Sequence, residues 1–513
     1  MILFFSFSSD CLKNGTNLLF EMLALAFKCL LIHGHFTLYL LLATFIPIIK
    51  DKLGSINESK NYRSIAISSL TMKLFDWVFL LLHGEKLGLD DLQFAYQAKC
   101  STTMCTWSVI ETIDYFTRKG SEVFSCCMDM SKAFDCLRHS VLFRKLLAAN
   151  IPPIFLRLIM VIYLDQFANV KWNGTYSSNF YVSNGVRQGG VSSAILYCFY
   201  VNILFEKLRL SGFGCWINGN YHGIFGYSDD NLLLSPSLQG LQEMLNICEE
   251  FALEHNLKFS TDSNPVKCKT KCIAFGVKRA ILPDLKLCGN SLPWVNQIKH
   301  LGTTISNGGR LTDQDVKIKR AQYINKNIEL RQEFHFASSR TLMQVNEIYN
   351  FHFTGSPLWD LFGTQMKSLE SSYNLSVKNM FGLPLATHRG LICTVTGKSH
   401  LRNILFLRFV NFVRNVQSSH KRVPRMFMNH VLEDVNSVTG SNMRNILLQT
   451  DKLNIVEVRK KEIMEIPYHQ SNEMLKWRDQ LVSELIDVRE GALVLENLDN
   501  EDIEELLNTL CTL

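Results

Sequence analysis

The chain has 513 residues, 47% of them hydrophobic, and sets 53 Lys and Arg against 47 Asp and Glu for a net charge of +6. That length suggests two or three domains with a large apolar core, so the chain is globular. The mild basic excess permits a polyanionic partner but does not by itself argue for one.

Fifteen cysteines are scattered without the regular spacing of a disulfide-rich secreted domain. They read as reduced thiols of an intracellular protein in the nucleus, the cytoplasm or both, not secreted. Cys268 and Cys272 in "CKTKC" have no second Cys/His pair at zinc-site spacing and read as ordinary thiols.

At the N-terminus "MILFFSF" is short and lacks the basic flank of a signal peptide. The longest clean apolar piece that follows, "FTLYLLLATFIPII", falls short of the ~20 residues a spanning helix needs. Buried structure without stable membrane association is the reading.

Residues 18–32 carry helical spacing, "ATFIPII" reads as a strand, and "DKLGSINESKN" is a polar loop. Residues 103–118 look helical, "VFSCCMDM" is a strand, and "SKAFDCLRHSVLFRKLLAAN" turns into a helix. Pro152-Pro153 starts another helix, and "WNG" supplies an Asn-Gly turn within a hairpin over 167–186. A helix is expected over 192–210, then a strand pair around "FGYSDDNLLL", then the amphipathic helix "SLQGLQEMLNICEEFALEHN". "TKCIAFG" and "IKHLGTTIS" are short strands, and beyond Arg310 the pattern is mainly helical, which marks a domain boundary. This order is an α+β arrangement.

Asp229 and Asp230 stand together inside an otherwise apolar, strand-like run. Unit charges about 4 Å apart repel by roughly 4 kcal/mol at an effective dielectric near 20. Either water solvates a simple turn, or a hard divalent cation shared with substrate phosphates offsets the repulsion. The residues alone leave both open.

A series of segments over roughly 45–305 resembles, in order, the reverse transcriptases of non-LTR (LINE-type) retrotransposons. "FIPIIKDKLGSINESKNYRSIAI" is similar to the fingers motif, "LQFAYQAKCSTTM" to the next, "MDMSKAFDCLRHSVL" to motif A and "NGVRQGGVSSAILYCFYVNIL" to motif B. "FGYSDDNLLL" matches motif C, "CKTKCIAFG" motif D and "IKHLGTTIS" motif E. "FGLPLATHRGLICTVTGKSHLRNILFLRFVNF" resembles the segment after the thumb. Any one of these is weak; seven in sequence are strong.

The resemblance implies a right-hand polymerase with an antiparallel palm sheet: an N-terminal helical segment 1–44, fingers 45–125, palm 126–309, a thumb-like region 310–395 and a helical C-terminal region 396–513. It implies RNA-directed DNA polymerisation from dNTPs on an RNA template and a DNA primer, with two Mg2+ or Mn2+ ions held by Asp129, Asp229 and Asp230. Lys50, Arg63 and, less centrally, Lys52 would bring positive charge to the triphosphate. Phe134 would be an aromatic gate against a ribose 2'-hydroxyl, Gln188 and Gly189 would contact the nucleotide, and Lys269 would protonate the departing pyrophosphate. Leu301 and Gly302 match the turn that contacts the primer.

Each has a plainer reading as well: a strand-end cap for Asp129, solvated charges for the lysines and Arg63, core packing for Phe134, a helix cap for Gln188 and any tight hairpin for Gly302. Asp135 reads as the polar residue opening the next helix.

The chain departs from the family pattern at Ser64, Ala95, Arg187 and Ser193-Ala194, where losing prolines removes rigidity rather than chemistry, and at Ser228, a small and tolerable substitute for alanine. With no endonuclease segment before the polymerase motifs and no Cys/His knuckle after them, the expectation is a truncated copy. The alternative is a remnant that binds nucleic acid without catalysis. After Arg310, "VKIKRAQYINKNIELRQEF" is a basic stretch able to follow phosphates or to form a solvated face, and "VLENLDNEDIEELLNTLCTL" reads as an acidic packing helix.

Overall fold

The computed structural model describes residues 9–464 and 466, apart from 53, 132–133, 263, 265–266, 280, 352, 391, 393–398 and 435. The acidic C-terminal stretch therefore lies outside the described residues, as does part of the segment after the thumb. The chain divides into two compact units, one drawn from 1–105 and 116–295, the other from 106–115 and 296–513.

The first unit opens with α1 (Ser9–Lys13), α2 (Asn17–His33) and α3 (Leu38–Leu41). Gly34 closes α2 in the left-handed conformation at φ 65, and its N–H returns to the Leu30 carbonyl. Among the described residues no helix is long and apolar enough to cross a membrane.

There follow β1 (Leu42–Ile49), β2 (Tyr62–Ile67), α4 (Leu70–His83), α5 (Thr102–Arg118, of which 106–115 are counted with the second unit), β3 (Val123–Ser131), α6 (His139–Ala148) and α7 (Pro153–Leu164). Ser69 and Ser101 cap α4 and α5 by accepting N–H groups from Met72 and Met104. Pro153 begins α7, where its missing N–H costs nothing. The α6 helix starts later than the sequence suggests, with Arg138 rather than Asp135 at its cap position. The cause is competition for carbonyls: Phe134 O and Leu137 O accept the N–H groups of Val186 and Gly185 at 2.8 and 2.9 Å, so Asp135 stays in an exposed turn.

Next come β4 (Phe167–Trp172), β5 (Thr175–Tyr176), β6 (Phe180–Tyr181), α8 (Ser193–Leu210), β7 (Trp216–Ile217), β8 (Asn220–Tyr221), β9 (Ile224–Tyr227), β10 (Asp230–Ser235) and α9 (Leu238–His255). The unit ends with β11 (Lys258–Phe259), β12 (Lys271–Phe275), β13 (Lys286–Leu287) and β14 (Asn290–Ser291).

Two five-stranded sheets result. The first runs β2-β1-β4-β5, with β6 also on β4, and its one parallel pairing joins β1 to β4. The second is antiparallel throughout: β3 lies between β10 on one side and β11 and β12 on the other, and β9 flanks β10. Val123, Phe124, Cys126, Met128 and Met130 of β3 and Leu232–Leu234 of β10 are buried, with Phe205, Leu245 and Phe251 of the helices also in the core. Cys272 sits opposite Cys126 in this core, and both are free thiols.

In the second unit β15 (Gln297–His300) and β16 (Thr303–Ser306) form a hairpin. It is followed by α10 (Asp313–Glu333), α11 (Ser339–Asn350), α12 (Thr364–Phe381), α13 (Leu401–Gln417), α14 (Arg422–Glu433), α15 (Val438–Thr450) and α16 (Lys460–Met464). The basic stretch after Arg310 is α10, and it turns Val316, Tyr323 and Leu330 into the core. Tyr323 is buried with its ring centre 5.7 Å from that of Phe353 and is therefore a packing residue. Glu370, almost fully buried, is met by both Nε and Nη2 of Arg402 at 2.6 and 2.9 Å, a two-point pairing that offsets the cost of its burial.

Candidate active site

The three carboxylates come together through strand register. Asp129 lies near the C-terminal end of β3, Asp230 begins β10, and the two are direct cross-strand partners. Opposed residues of an antiparallel pair have α-carbons about 4.5–5.5 Å apart, and like charges there are unfavourable. Asp229 occupies the turn: Tyr227 pairs with Asp230, so β9 and β10 are joined by Ser228 and Asp229 alone. Ser228 takes φ 64, the left-handed value that a two-residue hairpin asks of its first turn residue and that glycine meets most easily. The sequence reading of Ser228 as merely a small substitute missed this backbone demand.

The electrostatics follow from that crowding. Burial, then the charges of Asp229 and Asp129, push the Asp230 carboxyl up to about 6, although part of its side chain reaches solvent. Burial and the charge of Asp129 also raise Asp229 above the ordinary carboxylate range, against the pull of its own backbone N–H and of Arg63. Lys269, exposed in the loop before β12, places Nζ 3.5 Å from Asp129 Oδ2. The backbone of Asp129 is held independently, its carbonyl accepting the Ser260 N–H at 2.7 Å and its N–H facing Thr270 Oγ1 at 3.4 Å.

This donor set fits a hard divalent cation in type: three carboxylates at one end of one sheet, two of which bind protons more readily because burial, and then the negative charge beside them, disfavours the ionised form. Among the described residues no three His, Cys, Asp or Glu side chains already close as a cation cage.

Around the acids lie the other residues singled out by sequence. Arg63 projects from β2, exposed, and its charge reaches Asp229. Lys50 follows β1, where its N–H bonds the Asn61 carbonyl at 2.8 Å, and Lys52 is exposed two residues on. Phe134 is half-buried and stacks on Tyr197 of α8 at 4.8 Å between ring centres. The Tyr197 hydroxyl in turn contacts Met130 Sδ at 3.2 Å.

Gln188 does not cap α8, whose cap position is Ser192. Its carbonyl accepts the Ala66 N–H at 2.7 Å, so the loop before α8 lies along the edge of β2. Gly189 permits that approach: at φ 113, a β-carbon there would stand 2.7 Å from the Ala66 carbonyl oxygen. Leu301 and Gly302 belong to the second unit, where they form the two-residue turn between β15 and β16 with φ 48 and 89.

Sequence reasoning missed a group that positions this loop. Arg187, which stands where the family pattern has proline, is 6% exposed and donates from Nη2 to the Leu41 carbonyl at 3.2 Å. Asp76 faces the same pocket and accepts the Ser192 N–H at 3.2 Å. Burial raises the Asp76 carboxyl, and hydrogen bonds from Ser192 and the charge of Arg187 oppose that rise. The exchange thus replaces the stiffness of proline with a buried charged tether. No sequence pattern announces it, because Asp76 lies more than 100 residues away on α4.

Residues 49–305 match the family described as "Reverse transcriptase (RNA-dependent DNA polymerase)". The chain is 24% identical over 238 residues to the Retrovirus-related Pol polyprotein from type-2 retrotransposable element R2DM of Drosophila melanogaster, covering 46% of this chain and 21% of that protein. It is 24% identical over 293 residues to the RNA-directed DNA polymerase from mobile element jockey of Drosophila funebris, covering 55% and 31% respectively. The chain spans between about a fifth and a third of the length of the curated relatives it matches. Apo telomerase from Candida tropicalis aligns at 10% identity and a TM-score of 0.41, over 88% of this chain and 74% of that one.

Proposed function

The chain belongs to the reverse transcriptase (RNA-dependent DNA polymerase) family, and on that premise we propose that it copies RNA into DNA by adding dNTPs to a primer 3'-hydroxyl. The observation that carries this reading is the pairing of Asp129 with Asp230 across β3 and β10, with Asp229 in the adjoining turn. On this reading 45–125 serve as the fingers, 126–309 as the palm, and the helices from 310 to 395 as the thumb.

In the reaction the primer 3'-oxygen attacks the α-phosphorus of the dNTP, the bond to pyrophosphate breaks, and the hydroxyl proton leaves to solvent. Asp129, Asp229 and Asp230 would hold Mg2+ or Mn2+, two ions in all. Bound there, the ions would supply charge stabilisation at both the attacking and the leaving oxygens.

The remaining work falls to the chain's own groups. Arg63, planar and permanently charged, suits two-point contact with phosphate oxygens and lies on the acid side of its sheet, where its charge already reaches Asp229. Lys50 adds charge at the end of the adjoining strand. Phe134, braced against Tyr197, fills volume that a ribose 2'-hydroxyl would need, which selects deoxynucleotides. Gln188 offers its amide from a loop that Gly189 lets approach closely. Lys269, kept at the rim by Asp129, is placed to give its proton to pyrophosphate. Leu301 and Gly302 are assigned to the primer strand.

The test is primer extension on an RNA template. Template-directed deoxynucleotide incorporation that disappears in Asp229→Ala supports the reading. Template binding without extension by the unaltered chain would instead mark a non-catalytic nucleic-acid-binding protein.

A further inference from the structure

The turn that presents Asp229 is held by a residue outside the catalytic set. Gln93, fully buried, lies in a segment that hydrogen-bonds along β9: Phe94 N–H donates to Gly226 O and Gly226 N–H to Leu92 O, both at 2.9 Å. From there Gln93 Oε1 accepts the Ser228 N–H at 3.0 Å and the Ala95 N–H at 3.2 Å. On the other side of the turn Asn231, also buried, donates from Nδ2 to the Asp229 carbonyl at 3.3 Å. Each residue of the turn is therefore gripped by one buried amide.

A second observation joins the two amides. A β-carbon placed on Gly226 would stand 2.6 Å from Asn231 Oδ1 and 3.1 Å from Gln93 Nε2, so both side chains converge on the space this glycine leaves free. Both of those atoms are buried and unpartnered, one a donor and the other an acceptor. Amides are kept here at a real desolvation cost, and the grip on the turn is what they supply. Ser228, in a backbone conformation that L-residues avoid, is the place where a grip is needed.

We propose that Gln93, assisted by Asn231, is a positioning residue that holds Ser228 in its left-handed conformation and thereby fixes Asp229 in the turn beside the paired Asp129 and Asp230. The proposal rests on the polymerase reading for its kinetic consequence but not for its structural one. The experiment therefore has two arms on the full chain.

In the first, hydrogen exchange is followed over 224–232, with 271–275 as reference. Gln93→Met keeps bulk but removes the side-chain amide, acceptor and donor together. It is expected to speed exchange at the hairpin by roughly tenfold while the reference strand is unchanged. Ser228→Gly in the same background restores protection, because glycine adopts the turn without help.

In the second arm, kcat for nucleotide addition falls about tenfold in Gln93→Met, with KM for dNTP and template–primer affinity held within about twofold, and Ser228→Gly recovers most of the loss. Exchange that rises equally in both segments, or a defect that Ser228→Gly fails to relieve, would overturn the proposal. Should Gln93→Met alone not fold, the double variant decides: folded supports the proposal and unfolded defeats it. If the unaltered chain extends no primer, the polymerase reading fails and the exchange arm alone judges Gln93.

Discussion

Asp129 and Asp230 stand on inner strands of an antiparallel sheet, whereas Lys50 and Arg63 stand at the far end of β1 and β2, where Ile48 and Ile49 point to opposite faces and are both exposed. The acids owe their place to the backbone: β3 is paired along both edges, and shifting it by one residue would turn its whole buried set outward. The cations owe theirs to long side chains on a solvated ribbon. The contrast teaches that chemistry and affinity are built to different tolerances within one unit. Substituting an acid should abolish the reaction without weakening binding, and substituting a cation should weaken binding in proportion to how specifically it contacts phosphate.

The largest expected effect is at Asp129. Asp129→Asn keeps shape and register but removes a ligand, and should slow single-nucleotide incorporation by more than the roughly 10–100-fold that loss of a supporting residue costs. Template–primer affinity, measured by fluorescence anisotropy, should stay near that of the unaltered chain; a comparable loss of binding would erase the contrast. Arg63→Ala comes next. It should lower kcat/KM for dNTP by about 10–100-fold, mainly through KM, as expected for a charged hydrogen-bond pair worth about 1.5–3 kcal/mol. Arg63→Lys should recover only part, since one ammonium cannot make the two-point contact.

The buried region predicts its own acid sensitivity. His222, beside β9, is held neutral by burial, which pulls its pKa down to about 3. An unfolded histidine titrates near 6.5, so the stability this group supports is complete above that pH and is lost as pH falls toward 3. By pH 5 the loss should be about 2 kcal/mol. His222→Phe should flatten thermal or urea stability between pH 7 and 5; an unchanged slope would mean the histidine is not what makes the region acid-labile. The smallest effect belongs to Lys50, an exposed charge of the kind that contributes about 1 kcal/mol or less. Lys50→Ala should raise KM for dNTP by no more than about fivefold, and less at high salt.

Much of the fold was legible because the signals were local. Asn173-Gly174 announced a hairpin, and the structure gives these residues φ 46 and 81, the paired left-handed turn that Asn-Gly favours. The apolar spacing over 18–32 became α2, and the double proline marked the start of α7. Register was not legible. The strands β3 and β10 are nearly continuous apolar runs, without the alternation that would show which residues face each other. Only the order of the motifs suggested that Asp129 and Asp230 meet. Gln93 and Arg187 escaped for a related reason. Each is polar and buried, and its partners are backbone groups far along the chain, Ser228 N–H for one and Leu41 O for the other. The helix start at His139 was misplaced because carbonyls that local reasoning assigns to the helix are claimed by the Gly185–Val186 backbone.

The first sheet takes β1 and β2 from residues 42–67 and β4 to β6 from 167–181, while the second takes β3 from 123–131 and its other strands from 224–275. The two are therefore threaded through each other along the chain, and no single scission separates them with both left whole. A chimera that exchanged only the nucleotide-contacting half with a relative would have to be spliced at several points. The smallest transplantable cassette is the whole run from 42 to 275, and the residues that bind and the residues that react must be inherited together.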